Sequence, residues 1–127
     1  SGAAEKEGMT VSVTSFGFKH GLPMEADLVF DVRFLPNPYY VPELKPLTGL
    51  DEPVREYVFS SEAAGRFLEP LLAFLLPQYR QEGRTELVIA VGCTGGRHRS
   101  TAVAHHLATF IGEQGFPVSE SHRDISR

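Results

Sequence analysis

The sequence predicts an α/β sandwich: a single domain on a mainly parallel four-stranded sheet with flanking helices. Three observations carry that expectation. Four β-type segments are separated by helical patterns or by a long crossover, which favours parallel connections over hairpins. The third β-type segment, Leu87 to Gly92, is a continuous apolar run of the kind found in strands covered on both faces. The chain has 127 residues, 42% of them hydrophobic, enough for one modest core and too few for two.

The elements follow in chain order. Ser1 to Gly8 is polar and reads as a tail or cloning scar, leaving 9–127 as the domain. Met9 to Phe16 alternates apolar and polar residues, as a half-buried strand does. Leu28 to Arg33 is rich in branched apolar residues and reads as the second strand. Between Leu35 and Val54 stand Pro36, Pro38, Pro42, Pro46 and Pro53, so this stretch reads as a long irregular loop. Tyr39, Tyr40, Val41 and Leu44 are available to hold it down. A helix is expected from Ser60 or Ser61, either of which can cap it, to about Arg80. Phe67, Leu68, Leu71, Leu72, Leu75 and Tyr79 would form its buried face, and Pro70 and Pro77 would kink or end it. A second helix is expected from Arg99 to Gly112, burying Val103, Leu107, Phe110 and Ile111 and stopping at Gly112 and Gly115. Pro117 to His122 is the fourth strand. There are no internal repeats.

Composition excludes several functions. Lys and Arg total 12 against 16 Asp and Glu, a net charge of -4, so the chain is not a generally basic nucleic-acid binder. One cysteine makes neither an internal disulfide nor a cysteine-based zinc site, and it suits a reducing, cytoplasmic compartment. The longest apolar stretch, Phe67 to Leu76, is half a membrane span and contains Glu69 and Pro70, so no membrane association is expected. None of the three lysines follows a glycine, so there is no phosphate-binding loop of the G-x-x-x-x-G-K-[ST] type. His98, His105 and His106 lack ligand spacing, and no metal site is expected. Glu5, Glu7, Glu62 and Glu82 read as solvated surface.

Chemistry collects in the segments that follow the strands. In an open parallel sheet, ligands bind beyond the carboxyl ends of the strands. Lys19, Arg33, Arg97, Arg99 and Arg123 all lie in such segments, together with His20, His98 and His122. An acidic chain that places cations there predicts an anion site, most simply for phosphate. The sharpest segment is Cys93-Thr94-Gly95-Gly96-Arg97-His98-Arg99-Ser100-Thr101, where a strand passes through a Gly-rich turn into a helix. Free backbone N–H groups and the helix dipole favour an anion at such a turn, and Arg99 can fork two phosphate oxygens. The alternative is a tight turn and nothing more. Cys93 and Arg99 also match the C-x5-R-[ST] loop of cysteine phosphatases, in which the thiolate is the nucleophile. Against that stand Gly92, where a histidine is customary, and the lack of an obvious general acid. Asp31 and Arg33 share one strand face, either as an ion pair locking the strand end or as ligand contacts.

Four ordered motifs resemble one family. They are Ser15-Phe16-Gly17-Phe18-Lys19-His20-Gly21, Ala26 to Pro38, Thr48-Gly49-Leu50-Asp51, and Gly92 to Ser100. Together they resemble the C-terminal domain of the RNase adapter (RapZ, or YvcJ) family from about Val11 to Arg123. The resemblance implies a domain similar to a phosphofructokinase subdomain, joined in full-length members to an N-terminal P-loop nucleotide-binding domain. It implies a non-catalytic sensor that binds glucosamine-6-phosphate in the enterobacterial member. There the domain also binds small regulatory RNA and presents it to an endoribonuclease. By motif, the pocket would comprise Asp31, Arg33, Cys93, Thr94, Gly95, Gly96, His98, Arg99 and Ser100, with Arg97 beside them. Lys19, His20, Tyr39, His122 and Arg123 are additional candidates. Tyr39 stands where the enterobacterial member has a histidine, and that member's basic RNA-binding tail is replaced by His122 to Arg127. The expected partners are therefore a phosphorylated small molecule or other anion, then RNA and an endoribonuclease, with a homo-oligomer also open. No cofactor is implied.

Overall fold

The computed structural model describes residues 8–61 and 67–127. The expectations for residues 1–7 and for Glu62 lie outside them. Four strands form one all-parallel sheet: β1 (Thr10–Gly17), β2 (Leu28–Asp31), β3 (Glu86–Cys93) and β4 (Val118–His122), in the order β2-β3-β1-β4. β1 runs in register with β3 from Thr10 opposite Glu86 to Gly17 opposite Cys93. It pairs with β4 from Val11 opposite Val118 to Ser15 opposite His122. β2 pairs with β3 from Leu28 opposite Ile89 to Asp31 opposite Gly92. Gly17, Asp31, Cys93 and His122 therefore end their strands at one edge of the sheet.

Among the described residues three α-helices complete the domain: α1 (Glu52–Val58), α2 (Leu68–Gln81) and α3 (Arg99–Glu113). The crossovers from β2 to β3 and from β3 to β4 advance in the same direction across the sheet. Right-handed connections then place all three helices on one face. α3 packs on β1, β3 and β4, and α1 and α2 pack on α3. Val11, Val13, Leu87, Ile89 and Val91 meet Val103, Leu107 and Ile111 in one continuous buried cluster. The opposite face carries Ser12, Thr14, Ser119 and Ser121, and the Ser119 hydroxyl donates to Ser12 at 3.2 Å. The alternation in β1 reports this one-sided burial. β3 breaks it because Ala90 is fully buried and Gly92 lies beneath the rings of Phe16 and Phe18. Its apolar run thus comes from a central position, with helices on one side and rings on the other.

Several expectations about the helices need correction. The helix expected from Ser60 or Ser61 does not start there. α1 ends before these residues, where the Ser60 hydroxyl donates back to the Tyr57 carbonyl at 2.7 Å, and α2 begins at Leu68. α1 itself begins in the last residues of the expected loop and runs past its end to Val58. Its start was legible in Asp51-Glu52-Pro53, an acidic first turn with proline where a missing N–H costs nothing. Within α2 the buried side chains are Leu68, Leu72 and Leu76, whereas Phe67 and Leu71 are each 42% exposed. Pro70 sits in the first turn, where proline is tolerated. Pro77 is interior, yet the helix continues past it to Gln81; the carbonyl it leaves without an N–H belongs to Ala73, an exposed residue.

The carboxyl ends of β1 and β4 are tied by Asp124. It is completely buried, and its Oδ2 accepts the Gly17 N–H at 2.7 Å and Arg123 Nη2 at 2.8 Å. Arg127 Nε lies 3.3 Å from its Oδ1. Burial pushes its pKa up, but the Arg123 hydrogen bonds, the Gly17 N–H and the two guanidinium charges outweigh that and hold it below the usual value. A lowered carboxyl pKa contributes stability above the unfolded-state value and loses it as pH falls through the folded one. Asp124→Ala should cost about 2–4 kcal/mol in chemical denaturation at neutral pH, leaving a buried N–H and two cations without their carboxylate. The loss should shrink as pH falls below the unfolded-state value of about 3.9 and vanish only once pH has passed the lower, folded one.

Candidate functional site

A cleft of about 420 Å³ opens at the carboxyl edge of the sheet. The turn from Cys93 to His98 forms its floor. Lys19 closes one side, Asn37, Tyr39 and Tyr40 close the other, and Arg127 reaches in from the chain end. Among the described residues lining it, four are Lys or Arg and none is Asp or Glu.

Backbone contact between two loops shapes the floor. Gly96 has φ of 87°, which side-chain-bearing residues rarely adopt, and a Cβ there would lie 2.7 Å from the Gly17 nitrogen. A Cβ on Gly17 would lie 2.4 Å from the Gly95 carbonyl. The Lys19 N–H donates to the Thr94 carbonyl at 3.2 Å, so the loop after β1 rests on the loop after β3. The Lys19 ammonium has no hydrogen bond or ion pair with any described residue and hangs beside Gly95. His98 holds the cap position of α3 without a side-chain cap bond, so the first N–H groups of that helix gain no side-chain partner from it.

The other cations of the floor have second tasks. Arg97 donates from Nε to the Leu47 carbonyl at 3.0 Å and from Nη2 to the Pro46 carbonyl at 2.5 Å. His98 Nε2 lies 3.0 Å from the Lys45 carbonyl, so that nitrogen carries the hydrogen. Arg99, only 6% exposed, donates from Nη1 to the Arg33 carbonyl at 2.5 Å, and its Nη2 is 3.4 Å from Thr94 Oγ1. Burial and then the Arg97 charge lower the His98 pKa, against the opposing pull of the carbonyls it faces. At neutral pH His98 is an uncharged donor. Cys93 is 3% exposed, and its thiol donates to Ser100 Oγ at 3.1 Å.

Of the residues singled out in the sequence, the cleft brings together Lys19, Tyr39 and Cys93 through Arg99. Ser100 lies behind it, fully buried. Asp31 and Arg33 form an exposed bidentate pair, with Arg33 Nη2 2.7 Å from Asp31 Oδ2 and the guanidinium 4.0 Å above the Phe18 ring. The Arg33 hydrogen bonds outweigh burial and lower the Asp31 pKa. Arg123 turns to Asp124 and the Gly21 carbonyl. His20 does not line the cleft, and neither does His122, which bonds Ser15 behind the floor. His105 and His106 point apart, to Glu120 on β4 and Glu69 on α2. Asn37, Tyr40 and Arg127 were missed. Asn37-Pro38 carried a signal, since Asn37 Oδ1 accepts the Tyr39 N–H at 3.1 Å and sets the turn. Arg127 carried none, being placed by its ion pair with Asp124.

Comparison with known proteins places the chain in a family. The family described as RapZ C-terminal domain matches residues 9–126, and the chain belongs to it. It is 51% identical over 123 residues to a nucleotide-binding protein of Alkaliphilus oremlandii, covering 94% of this chain and 42% of that one. It is 54% identical over 122 residues to a nucleotide-binding protein of Caldanaerobacter subterraneus, covering 94% and 43%. A nucleotide-binding protein of Bacillus cytotoxicus is 52% identical over 125 residues, covering 96% and 42%. The chain thus spans less than half the length of these relatives. No helix among the described residues is long and apolar enough to cross a membrane.

The lowered His98 pKa has a measurable consequence. A depressed histidine binds fewer protons folded than unfolded, so its contribution is complete above the unfolded value of about 6.5 and declines as pH falls below it. His98→Gln keeps a donor toward the Lys45 carbonyl but does not titrate. Between about pH 7 and pH 5 its unfolding free energy should fall less than that of the wild type, read by urea denaturation.

Proposed function

We propose that this domain binds a phosphorylated small molecule at the Cys93–Arg99 turn and acts as a sensor rather than as an enzyme. The observation that carries the reading is the charge of the cleft: an acidic chain has lined it with Lys19, Arg97, Arg99 and Arg127 and with no carboxylate among the described residues. The uncapped N-terminus of α3 adds backbone donors and its dipole. The cleft volume suits a phosphorylated sugar, and glucosamine-6-phosphate is the ligand we put first. In this reading the phosphate meets the turn, Lys19 and the free N–H groups of Arg99. Tyr39 and Tyr40 flank the remainder of the ligand.

The cysteine-phosphatase alternative has less support. The Cys93 thiol donates to Ser100 within a buried contact, and no Asp or Glu among the described residues lines the cleft to act as general acid. A second reading, RNA contact, draws on Tyr39 and Tyr40. These are 53% and 79% exposed, stand edge to face, and have the Lys45 ammonium 4.3 Å over the Tyr39 ring. Exposed aromatics beside cations are stacking platforms for single strands. The nucleotide binding named for the relatives concerns proteins more than twice as long, and we do not carry it to this cleft.

A thermal-shift panel of glucosamine-6-phosphate, glucosamine and inorganic phosphate tests the first reading. At 100 times its dissociation constant a ligand adds about 2.7 kcal/mol of stability. The phosphosugar should stabilise more than phosphate, and glucosamine should do nothing. Lys19→Ala should weaken the phosphosugar about fivefold to tenfold while leaving the unliganded melt unchanged, since the ammonium has no partner among the described residues. A panel without any shift would overturn the sensor reading. An RNA mobility shift that survives about 200 mM salt would then favour the stacking platform.

A further inference from the structure

Behind the turn runs a chain of polar contacts that the cleft itself does not use. Glu120 Oε2 lies 2.9 Å from His105 Nδ1 and 2.7 Å from His122 Nε2. His122 Nδ1 is 2.7 Å from Ser15 Oγ, which is 3.3 Å from Thr101 Oγ1. Thr101 Oγ1 donates to the Gly96 carbonyl at 3.1 Å. Ser15 and Thr101 are completely buried, so no solvent reaches the middle of the chain. The order Ser15-His122-Glu120 resembles a hydrolytic triad. Ser15, however, opens into no cleft and meets Nδ1, so it is no nucleophile.

Counting protons shows what the chain does. Between Glu120 and the Gly96 carbonyl there are four contacts: Glu120–His122, His122–Ser15, Ser15–Thr101 and Thr101–Gly96. A neutral His122 brings one N–H, and Ser15 and Thr101 bring one hydroxyl hydrogen each. One contact is then left as two facing lone pairs. With His122 as the imidazolium, all four are filled in one direction, from Nε2 to Glu120 and from Nδ1 through Ser15 and Thr101 to the Gly96 carbonyl. Hydrogen-bond chains aligned this way polarise one another. The charged and titratable groups around His122 are Glu120 on its own strand, His105 on α3, and the Arg123–Asp124 pair beyond the strand end; β1 presents hydroxyls only. The His105 and His122 hydrogen bonds outweigh the burial of Glu120 and keep it a carboxylate at neutral pH, so it can serve both rings.

We propose that His122 is a positioning residue for the anion-binding turn, and that gain of a proton on its ring completes a relay to the Gly96 carbonyl and tightens anion binding as pH falls. Gly96 is the residue at φ of 87° on which the turn pivots, and its carbonyl is the end of the relay. The affinity effect rests on the anion-binding reading above; the relay does not.

The experiment follows ring and amide nitrogen resonances from about pH 8 to about pH 5.5, the span in which histidines change charge. The probe ligand is sulfate, which does not titrate there. In the wild type the Arg97 amide nitrogen, bonded to the Gly96 carbonyl carbon, should shift with the same midpoint as the His122 ring. Sulfate should bind about threefold to tenfold tighter at the acid end, the factor one hydrogen bond is worth. His122→Gln and Ser15→Ala should each abolish the Arg97 titration and the His122 share of the sulfate pH dependence, with the His98 share left in place. Arg97 shifts that ignore the His122 midpoint, or that persist in a folded Ser15→Ala protein, would overturn the relay. If the relay titrates but sulfate binds at no pH, the anion reading fails and the relay stands. If sulfate binds with the same pH slope in wild type and both variants, the coupling is wrong and the anion site stands.

Discussion

A proline-rich segment cannot satisfy its own backbone, and this constraint organises the rest of the molecule. From Pro36 to Pro53 there is no strand partner for the chain, and five prolines contribute carbonyls without N–H groups. Arg97 and His98 answer it by donating to the carbonyls of Pro46 and Leu47 and of Lys45, and Arg99 holds the Arg33 carbonyl just before the segment. The Gly49 N–H returns a bond to the Arg97 carbonyl at 3.0 Å. Three consecutive cationic or polar side chains thus fasten the wall of the cleft to its floor. A reader of composition alone would assign all of that charge to a ligand.

The same fastening prepares the site. Guanidinium groups already held by carbonyls lose little rotamer freedom when an anion arrives, so less of the binding energy goes into ordering them. Lys19 is the exception, without a hydrogen-bond or ion-pair partner among the described residues, and in the proposed reading it is the group able to turn onto a ligand. Glycine does the complementary work at the other loop. Gly17 and Gly96 let two backbones touch, and Asp124 fixes that touching point from beneath by accepting the Gly17 N–H. Substituting either glycine would push the loops apart and with them the Lys19 side of the cleft.

Much of the sheet was legible because burial here is one-sided. The alternation of Val11 and Val13 with Ser12 and Thr14 tracks a helical layer on one face and open hydroxyls on the other. The long helix was misread at its start because serine is a good cap in sequence, whereas Ser60 in fact closes the preceding helix onto Tyr57. The face of α2 was misread because Phe67, Leu71 and Phe74 are apolar yet outward, so periodicity offered two stripes and no means of choosing. Cys93 to Arg99 stood out as a candidate site from residue types alone, and the structure places it along one cleft. The wall could not be read that way, since Tyr40 and Arg127 reach the cleft through a short turn and an ion pair far from the motif.

The turn is therefore held on two sides by different chemistry. On the cleft side, the cations of residues 97 and 99 fix it to carbonyls whose hydrogen bonds do not depend on pH near neutrality. On the buried side, Thr101 and Ser15 connect it to His122 and Glu120, the relay proposed above. A fold that needed only a rigid tight turn would have no use for a half-buried histidine at the end of a hydroxyl chain, because an apolar pair of the same shape at Ser15 and Thr101 would pack as well without desolvating two hydroxyls. The polar choice places the state of an edge strand within hydrogen-bond reach of the residue that sets the conformation of the turn. In the proposed coupling, binding at the floor and protonation at the edge act on one peptide unit, so that a change at either is felt at the other.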